Sequence, residues 1–113
     1  MKKEKNEEIK CVFCDIANRS GVEIVKIEPL NPVVRGHLIF FHRQHSIDFT
    51  DDIGLSMRVL QEVARVAKEI GGDFNLISSK GITATQSVFH LHFHLIPRRK
   101  NDGLILPWTG QKS

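Results

Sequence analysis

Beyond residue 20 the apolar positions gather into five blocks with two kinds of periodicity. Val22-Glu23-Ile24-Val25-Lys26-Ile27 alternates loosely and is rich in β-branched residues, which predicts a strand ended by Pro29 and Pro32. Leu38-Ile39-Phe40-Phe41 runs apolar after Gly36 and predicts a second strand. Thr50-Asp51-Asp52 then supplies an N-cap and acids for a helix start. Ile53, Met57, Leu60, Ala64, Ala67 and Ile70 follow at spacings of three and four, so this row is expected to be the core face of a helix that Gly71-Gly72 ends. Phe74-Asn75-Leu76-Ile77 predicts a third strand and residues 88–97 a fourth. The chain therefore reads as a small α+β domain.

The last block carries His90-Leu91-His92-Phe93-His94. A strand puts residues i, i+2 and i+4 on one face, so three imidazoles project together, on the side of the sheet opposite the helix. Groups that titrate near neutral pH on a rigid strand suit nucleophilic catalysis, proton transfer or metal binding. An accidental histidine-rich surface strand is the plainer alternative. The stretch before it, Gly81-Ile82-Thr83-Ala84-Thr85-Gln86-Ser87, speaks against that, because a small polar loop can offer backbone N–H groups and hydroxyls to an anion.

At 113 residues the chain is long enough for one modest core, read as a flexible charged tail over 1–10 and a single domain over 11–113. Its formal charge of +3 suits anionic ligands without identifying one. Part of the excess is Lys2-Lys3-Lys5, a solvated tail, and part is Arg98-Arg99-Lys100, where phosphate contact and plain solubility stand level. No apolar run approaches the roughly 20 residues that span a bilayer, and the N-terminus is charged, so a soluble, cytoplasmic protein is expected, without membrane partners. Few basic residues and no aromatic stacking platform argue against nucleic acid. Cys11 and Cys14 are expected to be reduced. They have metal-ligand spacing, but two thiolates leave a tetrahedral zinc two ligands short. A thioredoxin-type redox role needs a following helix, and residues 15–21 offer only one or two turns. His42 reads as a surface residue, and Trp108 as a ligand cover, dimer contact or plug of the core edge.

Taken together, Gln86-Ser87-Val88-Phe89-His90-Leu91-His92-Phe93-His94 resembles the signature of the histidine triad (HIT) family. The resemblance extends to Cys11-Val12-Phe13-Cys14, Gly36-His37-Leu38-Ile39, Asn75 and Ile96-Pro97-Arg98. It implies a HIT-like α+β fold, an antiparallel sheet with one main helix on one face and the triad on the other. It also implies a nucleotide hydrolase or nucleotidyl transferase acting at an α-phosphate. Carried over, His92 is the nucleophile that forms a covalent nucleotidyl intermediate, its other nitrogen bonded to the main-chain carbonyl of His90. His94 binds the α-phosphate, helped by its charge, and His37 buttresses the triad. Gln86 and Ser87 contact the bridging atom or leaving group, with Thr85 beside them, while Asn75 contacts phosphate and ribose. Glu28 stands nearest to the position of the family's ribose-gripping acid. The resemblance further implies a structural zinc on Cys11, Cys14, His45 and His90, and homodimerisation. A triad ending in histidine goes with hydrolysis, of dinucleoside polyphosphates or nucleoside phosphoramidates. Two departures stand out: the stretch from Cys14 to Gly36 is shorter than usual, and Ala84-Thr85 replace common glycines. Both favour the main alternative, a zinc-stabilised nucleotide-binding or scaffold module without efficient turnover; a metal protein using the His90-His92-His94 face with His37 is a second alternative.

Overall fold

In the computed structural model, which describes residues 11–107, a short helix precedes four antiparallel strands and one long helix. The charged tail and Trp108 lie outside the described residues. Helix α1 spans Val12–Ser20, strand β1 Ile24–Ile27, β2 Leu38–His42, helix α2 Ile53–Ile70, β3 Asp73–Ile77 and β4 Phe93–Arg98, with a 3-10 turn at Ile82–Ala84. The strands are ordered β1-β2-β4-β3, so β4 lies inside the sheet, between β2 and the edge strand β3.

The pairing sorts side chains onto two faces. On one, Phe40 and Phe93 lie opposite each other, as do Leu38 and Leu95. This face, with Leu91, packs on α2 through Leu55, Val59, Val63 and Val66. On the other, Ile39 and Ile77 flank His94 from either side, and Val25 pairs with Phe41. Helix α1 closes part of this second face with Phe13 and Ala17 against Val25, Ile39 and Phe41. The expected fold is thus present, with one addition: the triad face is shared with a second helix. That helix has nine residues, longer than the one or two turns read from 15–21, because Cys11 caps it ahead of Cys14.

Three other expectations need correction. The row Ile53, Met57, Leu60 and Ile70 faces solvent, with Met57 64% exposed, while the valine row faces the sheet. Of the residues expected inward, Ala67 alone packs on this core. Two apolar rows run along this helix, about 200° apart at about 100° per residue, and periodicity cannot tell which faces inward. The final strand begins at Phe93 rather than at residue 88. Residues 88–92 are irregular, and the Leu91 N–H donates to the Ser46 carbonyl after β2 at 2.6 Å. His42 is buried, not on the surface: its Nε2 lies 3.1 Å from Glu23 Oε2, and its Nδ1 accepts from the Gln44 N–H. Glu23 also pairs with Arg58, tying β1 to α2.

The helix ends follow sequence more closely. Asp52 caps α2 by accepting from the Leu55 N–H at 3.1 Å, and Gly71 at φ +78° ends it in a conformation costly for other residues. Gly36, at φ +92°, lets the chain pass Pro97 so closely that a Cβ would meet its Cγ at 3.0 Å. Among the described residues no helix is long and apolar enough to cross a membrane. The inward phase of α2 predicts that Leu55→Ala costs about 2–5 kcal/mol, whereas Met57→Ala stays within about 0.5. Urea unfolding of the two variants checks this, and equal losses would contradict the assigned phase.

Candidate functional site

His92 and His94 stand on the same face, in the mouth of a cavity of about 400 Å³. Their hydrogen bonds assign the protons. The His92 Nδ1 lies 2.7 Å from the main-chain oxygen of His90, which can only accept, so Nδ1 carries the hydrogen and Nε2 keeps its lone pair. Burial lowers the pKa of His92, which favours this neutral form. Phe13 meets the ring edge to face at 5.0 Å, and Ser78 Oγ donates to the His92 carbonyl at 2.7 Å, so ring and backbone are both held.

A second relay fixes His94. The Val33 N–H donates to His37 Nδ1 at 3.2 Å, leaving the hydrogen of neutral His37 on Nε2. That nitrogen lies 2.9 Å from His94 Nδ1, which must accept, so the N–H of His94 is on Nε2. Burial lowers His37, and burial first, then the neighbouring His92 and His37, lowers His94 to about 4. Flanked by Ile39 and Ile77, His94 therefore presents an N–H donor at neutral pH rather than the charge expected.

His90 faces elsewhere. Fully buried, it meets Phe41 at 5.4 Å and Phe13 at 5.8 Å. Its Nε2 donates to the His42 carbonyl at 2.8 Å, and its Nδ1 lies 3.4 Å from Cys11 Sγ and 3.5 Å from Cys14 Sγ. His45 Nδ1 lies 3.2 Å from Cys14 Sγ. All four ligand atoms fall within 4.8 Å of one another. Zinc bonds of about 2.0–2.3 Å in a tetrahedron require spacings of about 3.3–3.8 Å. Three of the pairs lie at 3.2–3.5 Å and the rest within 4.8 Å, so the four need close by no more than about 1 Å to form a Cys2His2 site. The bond from His90 Nε2 to a carbonyl is the outer support such a ligand ordinarily has. Cys11 Sγ also accepts from the Cys14 N–H at 3.3 Å, so one thiol caps α1 and faces the metal position.

Around the triad the structure gathers Asn75, Ser79, Thr85, Gln86, Ser87 and Arg98, with Phe13, Val33, Ile39, Leu104, Ile105 and Leu106 as apolar wall. Glu28 is exposed and lies outside this lining. Gln86 lines the cavity, yet its amide is engaged: Oε1 accepts from the Gly81 N–H, and Nε2 donates to the carbonyls of Ile47 and Val88. Thr85 sits at φ +70°, a left-handed conformation strained for a β-branched residue and open to glycine. Asn75 Oδ1 accepts from Arg98 Nη1 at 2.7 Å. Sequence reasoning missed Phe13, Ser78 and Ser79. Phe13 had a signal in its place between the cysteines; the serines, in a bare Ser-Ser after β3, had none.

The donor set predicts one bound zinc per chain by elemental analysis, falling well below stoichiometric in Cys14→Ser, with a lower Tm in both the variant and the chelated protein. Retention of no metal, or of two ions, would contradict the assignment. The lowered pKa of His94 sets a second expectation. An unfolded histidine takes its proton near 6.5 and this one near 4, so stability is full above that window and falls as pH drops through it. Urea unfolding of metal-free protein at about pH 7 and about pH 5 is expected to show a smaller loss in His94→Asn than in wild type, and equal losses would refute it.

Residues 22–101 match the HIT domain family model. An uncharacterised HIT-like protein of Borreliella burgdorferi is 33% identical, covering 82% of this chain and 78% of that one. The adenosine 5'-monophosphoramidase of Saccharomyces cerevisiae is 30% identical, covering 91% and 72%. A zinc-bound histidine triad family protein of Mycobacterium smegmatis superposes with a TM-score of 0.69 at 31% identity, covering 87% and 81%. With the family model spanning well over half the chain, and with a triad face of the geometry just described, this chain belongs to the histidine triad family of nucleotide-binding hydrolases and transferases.

Proposed function

We propose that this chain hydrolyses nucleotide derivatives at the α-phosphate, with His92 as the nucleophile. The observation that carries the reading is the bond from His92 Nδ1 to the His90 carbonyl, which leaves Nε2 unprotonated inside the cavity. In the first step Nε2 attacks phosphorus, a P–N bond forms, and the bond from phosphorus to the leaving group breaks. The leaving group departs with a proton drawn from solvent or a neighbouring donor. In the second, water attacks the same phosphorus, the P–N bond breaks, and a nucleoside monophosphate leaves while water's proton passes to solvent. The Nε2–H of His94 supports the charge that develops on the phosphate oxygens, and an anion held there favours the protonated ring.

The cavity volume lies in the range of small-ligand sites. Its apolar wall would take a nucleoside and its histidine end a phosphate. Nucleoside phosphoramidates are the favoured substrates, supported by the yeast relative, with dinucleoside polyphosphates second. Ser87 and Thr85 stand at the rim for the leaving group, and Asn75 on the opposite strand for phosphate or ribose. A zinc on Cys11, Cys14, His45 and His90 would be structural, holding α1 and His90 in place. The test is release of nucleoside monophosphate from a panel of both substrate classes, followed by chromatography. Wild type is expected to release it, and His92→Ala to fall by several orders of magnitude while keeping its Tm. Binding of the monophosphate without turnover by wild type would overturn the reading in favour of a binding module.

A further inference from the structure

Among the described residues, Arg98 is the one Lys or Arg that lines the cavity, and the proposed reaction leaves its contacts unused. Its side chain is 21% exposed and that of Asp102 8%. Nε donates to Asp102 Oδ2 at 2.7 Å, Nη2 to Asp102 Oδ1 at 3.0 Å and to the Leu104 carbonyl at 3.2 Å, and Nη1 to Asn75 Oδ1 at 2.7 Å. Four of the five N–H groups of a guanidinium are thereby engaged within the fold. Asp102 in turn accepts from the N–H groups of Arg99 and Leu104, closing a turn in which Asn101 and Gly103 both have positive φ. That turn delivers Leu104 and Leu106 to the cavity wall.

The pairing with Asn75 has a chemical consequence. On the sheet, Asn75 lies opposite Ile96, so Arg98, two residues further along β4, is its diagonal neighbour on the triad face. A guanidinium has no acceptor, hence the amide oxygen of Asn75 must face it. The amide Nδ2, with no partner among the described residues, is left as a pure donor on the cavity side. We infer that Arg98 is a positioning residue of the nucleotide site: it orients Asn75 so that Nδ2 donates to a ligand oxygen, and through Asp102 it pins residues 104–106 as the apolar wall. Arg98 acts through these groups and does not itself hold the phosphate. The inference rests on the nucleotide site proposed above and names a donor requirement within it.

The experiment compares wild type, Asn75→Asp, Arg98→Lys and the double variant by calorimetric titration with adenosine monophosphate, alongside Tm and, where there is turnover, KM and kcat for a phosphoramidate. Asn75→Asp keeps an acceptor for Arg98 but loses the donor. It is expected to hold its Tm and weaken binding about 10- to 100-fold, as for a lost hydrogen bond to a charged group. Arg98→Lys cannot form the two-pronged pair and is expected to raise KM about tenfold, with kcat within about threefold. The double variant is expected to fall well short of the product of the two single effects, since the Asn75 donor can be lost only once and only the contribution of the wall is added. Multiplying effects would show that Arg98 touches the ligand directly and would overturn the inference, as would unaltered binding in Arg98→Lys. Should Arg98→Lys fail to fold, Asp102→Asn takes its place, with the same expected rise in KM and the same contrary outcome. If wild type binds the monophosphate without turnover, the hydrolase reading fails while the binding arms still decide the role of Arg98. If it does not bind at all, both fail.

Discussion

The arrangement turns on one residue, His90, which is immobilised at both ring nitrogens and then lends its main-chain oxygen to the ring of His92. One nitrogen donates to the carbonyl of His42 at the end of β2, and the other faces Cys11 and Cys14 at the start of α1. A side chain fixed at two points and fully buried fixes its own peptide, so the carbonyl aimed at His92 Nδ1 cannot turn away without breaking contacts on both sides. The reactive nitrogen of the candidate nucleophile is therefore set by packing several residues away from it. The metal-ligand cluster bears on the chemistry only in this way. It anchors the helix whose Phe13 covers both His90 and His92.

The sheet divides its work between two faces. Phe40, Phe93 and Leu95, with Leu91 just before β4, bury against α2, while on the other face Ile39, His94 and Ile96 line the cavity beside a second core of Val25 and Phe41 under α1. Burial is also what tunes the triad. His94 lies between two isoleucines and against His37, so its charged form is disfavoured and the ring is left as a directional donor. Rotation of either ring would cost a hydrogen bond in a poorly solvated place, which is how a rigid strand holds neutral imidazoles in a chosen tautomer.

The chemistry-bearing part of the fold was legible from residues because it depends on local period. Alternation places His92 and His94 together, Asp52 caps the helix and Gly71 ends it. His90, expected beside them, precedes β4 and turns toward Cys11 and Cys14; that it and His45 complete the C-x-x-C pair came from the family resemblance and not from spacing. What failed to read depends on non-local partners. Two apolar rows on α2 have equal periodicity, and only the folded sheet selects the valines. Residues 88–92 look like a strand by composition but precede β4, and Leu91 bonds to Ser46 after β2 instead. His42 is buried, and its ring meets Glu23, nineteen residues earlier in the chain, at 3.1 Å. The basic cluster at 98–100 left phosphate contact and solubility undecided; in the structure Arg98 faces Asp102, Leu104 and Asn75. Glu28, placed by counting back from Gly36, is exposed and outside the cavity lining.

The tautomer of His92 is the most direct test of the central claim. Long-range proton–nitrogen NMR correlation on 15N-histidine protein at neutral pH reads which ring nitrogen carries the hydrogen. A neutral ring with the hydrogen on Nδ1 and a bare Nε2 is expected. A hydrogen on Nε2, or a rapid mixture of both forms, would mean that the His90 carbonyl does not set the ring and that its proposed role as nucleophile lacks a structural basis.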